Sequence, residues 1–401
     1  MQKTKLKNGI TLIIKKRPSK SLAINISIKT GSVNETTNIL GISHVIEHML
    51  FEGTKKRTQK EIVDEIEKVG GEINALTSTQ HTSYYAIVLK KHFQKALDVL
   101  SDMIQNPLFE KKLIEKEKKV ILEEIKIIED QPRSYQWVLF QKTLFKEHPV
   151  KNPIYGTHKT VKSITKGQIE EYYNKYYTPK NIIITVVGNI PKNIKSLIET
   201  AFKDFKKESK IEHLKTKEPK NQLTKKIIKR NTQHSYIVLG YKTQNRLHKD
   251  SYALDLLKII LGYGQSSKLF AEIRSKLGLA YEISAEHETS KDYGFFAVNL
   301  STDKQNINKV ITIILNEFKK IQKYTNKELN EAKTQIEGLF KLEQENNQKI
   351  AELLGFYEQI NSAELAEKYI KNIRKVTLKQ LKEVAKTYLN GNYTLTIIKQ
   401  R

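Results

Sequence analysis

His44, Glu47 and His48 fall in the otherwise largely apolar run Gly41-Ile-Ser-His-Val-Ile-Glu-His-Met-Leu50. The run is compatible with a helix, and residues i and i+4 of a helix project from one face about a turn apart. Two imidazoles so placed supply two of the ligands a zinc ion needs at about 2.0–2.1 Å. Glu47 precedes the second His and lies beside such a site without having to be a ligand. That position suits a general base for a water whose pKa the ion has lowered to about 7. The competing reading, two ordinary histidines on a helix edge, leaves unexplained why three polar groups are set in an apolar segment, where burial is costly unless they bind something.

A catalytic zinc usually takes three protein ligands and keeps a position open, so a third must come from another element. Apolar residues at Leu113, Ile114, Val120, Ile121, Ile125 and Ile128, with Pro132 just beyond, predict a helix over Leu113–Asp130. Glu117 and Glu124 are two turns apart on nearly one face of it. Glu124 can complete the coordination, with Glu117 as a carboxylate that orients a ligand His. On spacing alone Glu123 is a near-equal candidate, and a solvated face explains any single Glu here.

Composition narrows the chemistry. The 401 residues contain no Cys, so disulfides, thiolate ligands and thiol catalysis are excluded, and a metal site must use His, Asp and Glu. A formal charge of +26 invites a nucleic-acid reading. Lys is spread along the whole chain, however, Arg is scarce, and aromatics are not interleaved with basic clusters as a stacking platform requires. Residues Met1–Lys16 lack the apolar core of a signal peptide, and no window reaches the ~18 apolar residues of a membrane span. A cytoplasmic protein without nucleic-acid or membrane partners is expected.

The elements that must carry these residues recur. The alternating run Leu22–Thr30 reads as a half-buried strand leading into a helical stretch, and His234–Thr243, followed by a helix at Tyr252–Leu261, repeats it about 210 residues later. Two strands read from Gly70–Leu89 have counterparts in Gly278–Ala285 and Tyr293–Leu300, and Ile182–Gly188 matches Tyr393–Lys399 at the same offset. The expected fold class is α+β: two homologous domains, each a mixed, largely antiparallel sheet with helices packed on one face. The boundaries expected are 1–205 for the metal-binding domain, 206–224 for a charged linker and 225–401 for the second copy.

His44-x-x-Glu47-His48 together with Glu117-Lys-Lys-Val-Ile-Leu-Glu-Glu-Ile125 resembles the pitrilysin family of zinc peptidases, the inverzincins. The half-length branch, with the mitochondrial processing peptidase subunits and bacterial relatives, is the nearest in pattern. The likeness extends through Gly31-Ser-Val-Asn-Glu35, Phe51-Glu-Gly-Thr54, Gly70-Gly-Glu-Ile-Asn-Ala75, Tyr177-Thr-Pro-Lys-Asn181 and Leu269–Tyr281, and so covers essentially the whole chain. The resemblance implies Glu124, not Glu123, as third ligand of one Zn2+ per chain, Glu47 as catalytic base and Glu117 as outer carboxylate. It also implies that Arg274 and Tyr281 stabilise the oxyanion of the tetrahedral intermediate. The strand after the Gly-Gly turn, with Asn74, Ala75, Leu76 and Thr77, is implied to pair with an extended peptide. The implied activity is that of a zinc metalloendopeptidase acting on peptides or unfolded segments inside a closed chamber. A homodimer is expected to form that chamber, each site being completed by Arg274 and Tyr281 of the other protomer. The alternative within the family is a non-catalytic assembly or scaffold subunit.

Overall fold

The alternation starting at Leu22 forms the centre of a six-stranded sheet in the computed structural model, which describes residues 1–205, 208 and 216–401. Strands β1 (Gln2–Lys5), β2 (Thr11–Lys16), β3 (Ser21–Ile28), β4 (Glu72–Thr77), β5 (Thr82–Leu89) and β6 (Ile182–Gly188) pair in the order β1-β2-β6-β3-β5-β4. Only the β2–β6 pair is parallel. Leu22, Ile24, Ile26 and Ile28 point from β3 into one apolar layer. They meet Ile42, Val45, Ile46 and Met49 of the helix Ile42–Phe51 and Phe93, Leu97 and Leu100 of the helix Phe93–Gln105. Burying each such side chain contributes roughly 1.5–3 kcal/mol.

The second sheet comprises β7 (Thr224–Arg230), β8 (Ser235–Lys242), β9 (Ile283–Thr289), β10 (Gly294–Thr302) and β11 (Thr394–Gln400), in the order β7-β11-β8-β10-β9 with β7–β11 parallel. Strand for strand this is the first sheet without β1, so the mixed, largely antiparallel α+β architecture expected from the repeat is what the chain forms. Its helix Asp250–Gly262 occupies the place of Ile42–Phe51.

The two compact units interleave in sequence. One contains Met1–Lys126, the described residues of Asn152–Lys215, and Glu343–Ala366; the other contains Ile127–Lys151, Thr216–Leu342 and Glu367–Arg401. The boundaries expected near 205 and 225 follow the duplication, whereas the packing crosses it. In the first unit the helix Asn347–Ile360 sets Ile350, Ala351 and Leu354 against Ile13, Ala23, Ile183 and Val187. In the second, the helix Pro132–Leu144 sets Phe140 and Leu144 against Val238, Phe295 and Ala297. Each sheet therefore carries the helices of its own repeat on one face, as expected, and a helix from the other half of the chain on the second face.

This corrects the reading of Leu22–Thr30 as half-buried. All of β3 from Leu22 to Ile28 is buried, including the polar Asn25 and Ser27 of its second face. Of the expected linker, 206, 207 and 209–215 lie outside the described residues. Residues Thr216–Leu223 have no regular secondary structure, and Glu218 there accepts hydrogen bonds from the backbone N–H groups of Lys146, Glu147 and His148 at 2.8–2.9 Å. Among the described residues no helix is long and apolar enough to cross a membrane.

Candidate metal centre

The helix Ile42–Phe51 is fixed at its start before its histidines are placed. Gly41 precedes it at φ 93°, and a Cβ there would lie 2.6 Å from the Tyr155 carbonyl oxygen, so only glycine fits. The buried Glu35 carboxylate accepts from the Gly41 and Ser43 N–H groups at 2.6 and 2.9 Å, satisfying donors that a helix start leaves unpaired. Burial pushes the Glu35 carboxyl up to about 7 against the opposing effect of those hydrogen bonds. Ser43 Oγ and Thr30 Oγ1 both bond the Tyr172 hydroxyl at 2.9 Å, tying the helix to β3. Sequence reasoning gave Glu35 no role. The available signal was an isolated acid six residues before a helix whose start has no Ser, Thr, Asp or Asn cap.

With Ile42, Val45, Ile46 and Met49 turned into the core, the opposite side of the helix presents His44 and His48, their rings edge-to-face with centroids 4.7 Å apart. The helix Lys111–Asp130 buries Ile114, Ile121 and Ile125 and brings Glu124 and Glu117 to the histidines. Glu124 Oε2 lies 3.9 Å from His44 Nε2 and 3.7 Å from His48 Nε2, too far for hydrogen bonds. One ligand atom from each of the three residues falls within 4.8 Å of the others. Glu123 instead bonds Lys126 at 2.6 Å on an exposed face, so the structure gathers Glu124 and not Glu123.

Glu117 Oε2 lies 3.0 Å from His48 Nδ1. A carboxylate at that distance pairs with an Nδ1–H donor, and His48 Nε2 is the ring nitrogen on the Glu124 side. Burial, and then the neighbouring His48, lower the His44 pKa to about 3, so the His44 imidazole is neutral. Two imidazole nitrogens and a carboxylate oxygen converge at distances too long for hydrogen bonds between them. Gathered in this way, they are a donor set that suits Zn2+. These residues therefore fit the metal.

Glu47 is half-buried beside them. Burial raises its pKa, opposed by Thr77 and His48. Its Oε2 completes no hydrogen bond, and neither does the Thr77 hydroxyl facing it. Asn74, Ala75, Leu76 and Thr77 lie on β4, the outermost strand of the sheet. Ser78 N–H donates to His81 O at the hairpin. The alternation of an antiparallel ladder then turns the backbone groups of Asn74 and Leu76 toward β5, and those of Ala75 and Thr77 outward along the free edge. The Ala75 N–H is taken by Asn74 Oδ1 at 2.8 Å.

Arg274 and Tyr281 lie in the second unit. Arg274 sits in a π-helical stretch, Phe270–Lys276, with its guanidinium 4.6 Å from the Tyr281 ring centroid and 4.7 Å from that of Phe270. Tyr281 is 70% exposed, so its ring serves no core.

Residues 10–158 match the family model described as Insulinase (Peptidase family M16), and residues 163–336 match that described as Peptidase M16 inactive domain. The chain is 32% identical over 401 residues to the uncharacterized zinc protease YmxG of Bacillus subtilis, covering 98% of this chain and 96% of that protein. It is 36% identical over 346 residues to an uncharacterized zinc protease of Rickettsia felis, covering 85% and 83%. Among solved structures, a protease from Helicobacter pylori superposes with a TM-score of 0.94 at 25% identity, covering 99% of each chain. A peptidase M16 inactive domain from Pseudomonas fluorescens, with TM-score 0.91, 20% identity and coverage of 100% and 98%, shares the fold. Agreement over nearly the full length of such relatives makes this chain a half-length member of peptidase family M16, the pitrilysin-type peptidases.

Proposed function

We propose that the chain is a zinc metalloendopeptidase that binds one Zn2+ through His44, His48 and Glu124 and hydrolyses peptides or unfolded segments in the cytoplasm. The observation that carries this reading is the set of three converging ligand atoms that make no hydrogen bonds to one another, next to a half-buried carboxylate with an unpartnered oxygen. When bound, the ion supplies Lewis acidity, polarising a carbonyl and lowering the pKa of water. Glu47 takes the proton of the attacking water and returns it to the leaving amine, a role that its raised pKa suits. The Glu117 carboxylate holds the His48 ring and its tautomer. The outward backbone groups of Ala75 and Thr77 pair with an extended substrate, Asn74 releases the Ala75 N–H as the peptide arrives, and the exposed Leu76 flanks it.

The chamber is formed by a homodimer in which Arg274 and Tyr281 of a second copy stabilise the developing oxyanion. What supports their pairing is the stacked guanidinium and the otherwise idle, exposed phenol. A non-catalytic scaffold subunit is the second reading, favoured by the description of the model that matches 163–336. That stretch contains none of the metal candidates, which stand complete in residues 10–158.

Peptide cleavage with and without chelator, alongside zinc analysis of the purified protein, tests the proposal. About one zinc per chain and chelator-sensitive cleavage are expected. A chain that binds no zinc on reconstitution is the scaffold. Mixing Glu47→Gln with Arg274→Ala protein tests the dimer, because activity returns only if sites are shared between protomers.

A further inference from the structure

Glu52 follows the last residue of the helix Ile42–Phe51, and its side chain is only 3% exposed. This is an unfavourable place for a carboxylate. The C-terminus of a helix carries partial negative charge, and a buried anion also loses its hydration. Its partner is Lys116, whose ammonium lies 3.0 and 2.8 Å from the two Glu52 oxygens. The same ammonium is 3.3 Å from Glu117 Oε1, and Glu117 Oε2 is the atom that meets His48 Nδ1 at 3.0 Å. A single line of contacts thus runs from Glu52 through Lys116 and Glu117 to His48.

Lys116 adjoins Glu117 in sequence but is half exposed, and a free lysine there would extend into water. Glu52 holds it inward instead, both of its oxygens accepting from the ammonium, which lies between the buried Glu52 and Glu117 side chains. We propose that Lys116, held inward by Glu52, is a positioning residue of the metal centre. It fixes the Glu117 carboxylate so that one oxygen faces Lys116 and the other faces His48, setting the tautomer and ring angle of a metal ligand. The inference rests on the metal reading above, and extends it to two residues that make no contact with the metal candidates themselves.

The test is the zinc dissociation constant of metal-free protein, measured by competition with a chromophoric chelator, for wild type, Lys116→Met, Glu52→Gln and Lys116→Arg. Outer partners of metal-bound His typically account for 10–100-fold in affinity. Lys116→Met is expected to weaken zinc binding by about tenfold or more, and Glu52→Gln in the same direction, because Lys116 then turns to solvent. Lys116→Arg is expected to stay near wild type, since a guanidinium can span both carboxylates. Unfolding of each metal-free variant is followed in parallel, and a purely structural role would move that midpoint and leave the dissociation constant unchanged. If Lys116→Met does not fold, Glu52→Gln reports alone. Dissociation constants within about twofold of wild type, or a loss that Lys116→Arg does not restore, overturn the proposal. If wild type itself binds no zinc, the metal reading fails and not merely this addition to it.

Discussion

The helix and edge strand that carry the metal candidates recur in the second unit with the opposite electrostatic outcome. In the first unit Glu47 faces Thr77 on edge strand β4, and Glu47 Oε2, His44 Nδ1 and the Thr77 hydroxyl are buried without hydrogen bonds. In the second, Asp255 and His287 stand about 210 residues after Glu47 and Thr77, on the matching helix and edge strand. Asp255 is engaged from three sides, by Arg246 Nη2 at 2.8 Å, His287 Nδ1 at 2.7 Å and the Tyr369 hydroxyl at 2.9 Å. Burial pushes both carboxyls up. Arg246 and His287 overcome it at Asp255 and hold that group well below the usual range, whereas Glu47 stays raised. The same scaffold thus either engages the carboxylate at this position with a cation or leaves one of its oxygens unpartnered, while His287 Nε2 and Ser251 Oγ are themselves buried without hydrogen bonds. What sets the first unit apart is a carboxylate oxygen left without a partner beside three potential metal ligands.

The sharpest way to break this comparison is to neutralise the two carboxylates separately. Glu47→Gln should lower turnover on the order of 10²–10⁴-fold, the usual contribution of a general base, while zinc content stays near wild type. Undiminished hydrolysis would remove Glu47 from the mechanism. Chelation of wild type should abolish cleavage, and added zinc should restore it.

Asp255→Asn should do the reverse. It leaves Arg246 buried without its anion, a change that typically costs about 3–5 kcal/mol, with zinc content of the folded protein unaltered. Denaturant midpoints check this. The pH dependence follows from the depressed carboxyl: its stabilisation is present above the ordinary value of 3.8 and is lost as pH falls through the lower folded-state value. Wild-type stability should drop on acidification below that point, and the variant should lose less.

Tyr281→Phe separates function from packing more finely. A ring this exposed contributes little to the core, so the unfolding midpoint should move by no more than about 0.5 kcal/mol. If its hydroxyl stabilises the oxyanion, turnover should fall about 10²–10³-fold. An equal loss of stability and activity would return Tyr281 to a structural role.

The site was legible in sequence because its signals are local. His44, Glu47 and His48 lie within five residues, and Glu117 and Glu124 share one helix face. The choice between Glu123 and Glu124 needed either a family likeness or the third dimension, since both fit the spacing. The repeated strand order was legible because alternation survives duplication, as β3 and β8 show. What was not legible is the exchange of helices between the halves. Amphipathic periodicity says that a helix has an apolar face, but not which sheet that face meets. Polar Asn25 and Ser27 in β3 also read naturally as a solvent-facing row, whereas the Asn347–Ile360 helix covers them with Gly355 set above both.

That contact gives the smallest of the expected effects. Gly355 lies in the interior of the helix, where Ala is ordinarily better by about 1 kcal/mol. A Cβ there would stand 3.3 Å from Ser27 Oγ, 3.6 Å from Asn25 Nδ2 and 3.7 Å from Thr185 Oγ1. Gly355→Ala should therefore be close to neutral, its propensity gain offset by a slightly tight contact that the Ser27 side chain can relieve. Gly355→Leu has no such relief, because the added atoms enter a closed layer between helix and sheet. It should cost about 1–3 kcal/mol, read as a lower urea midpoint. A Leu tolerated without loss would mean that the helix does not rest on β3 in solution. The first unit's sheet would then be open on that face, as the alternation of its residues alone suggests.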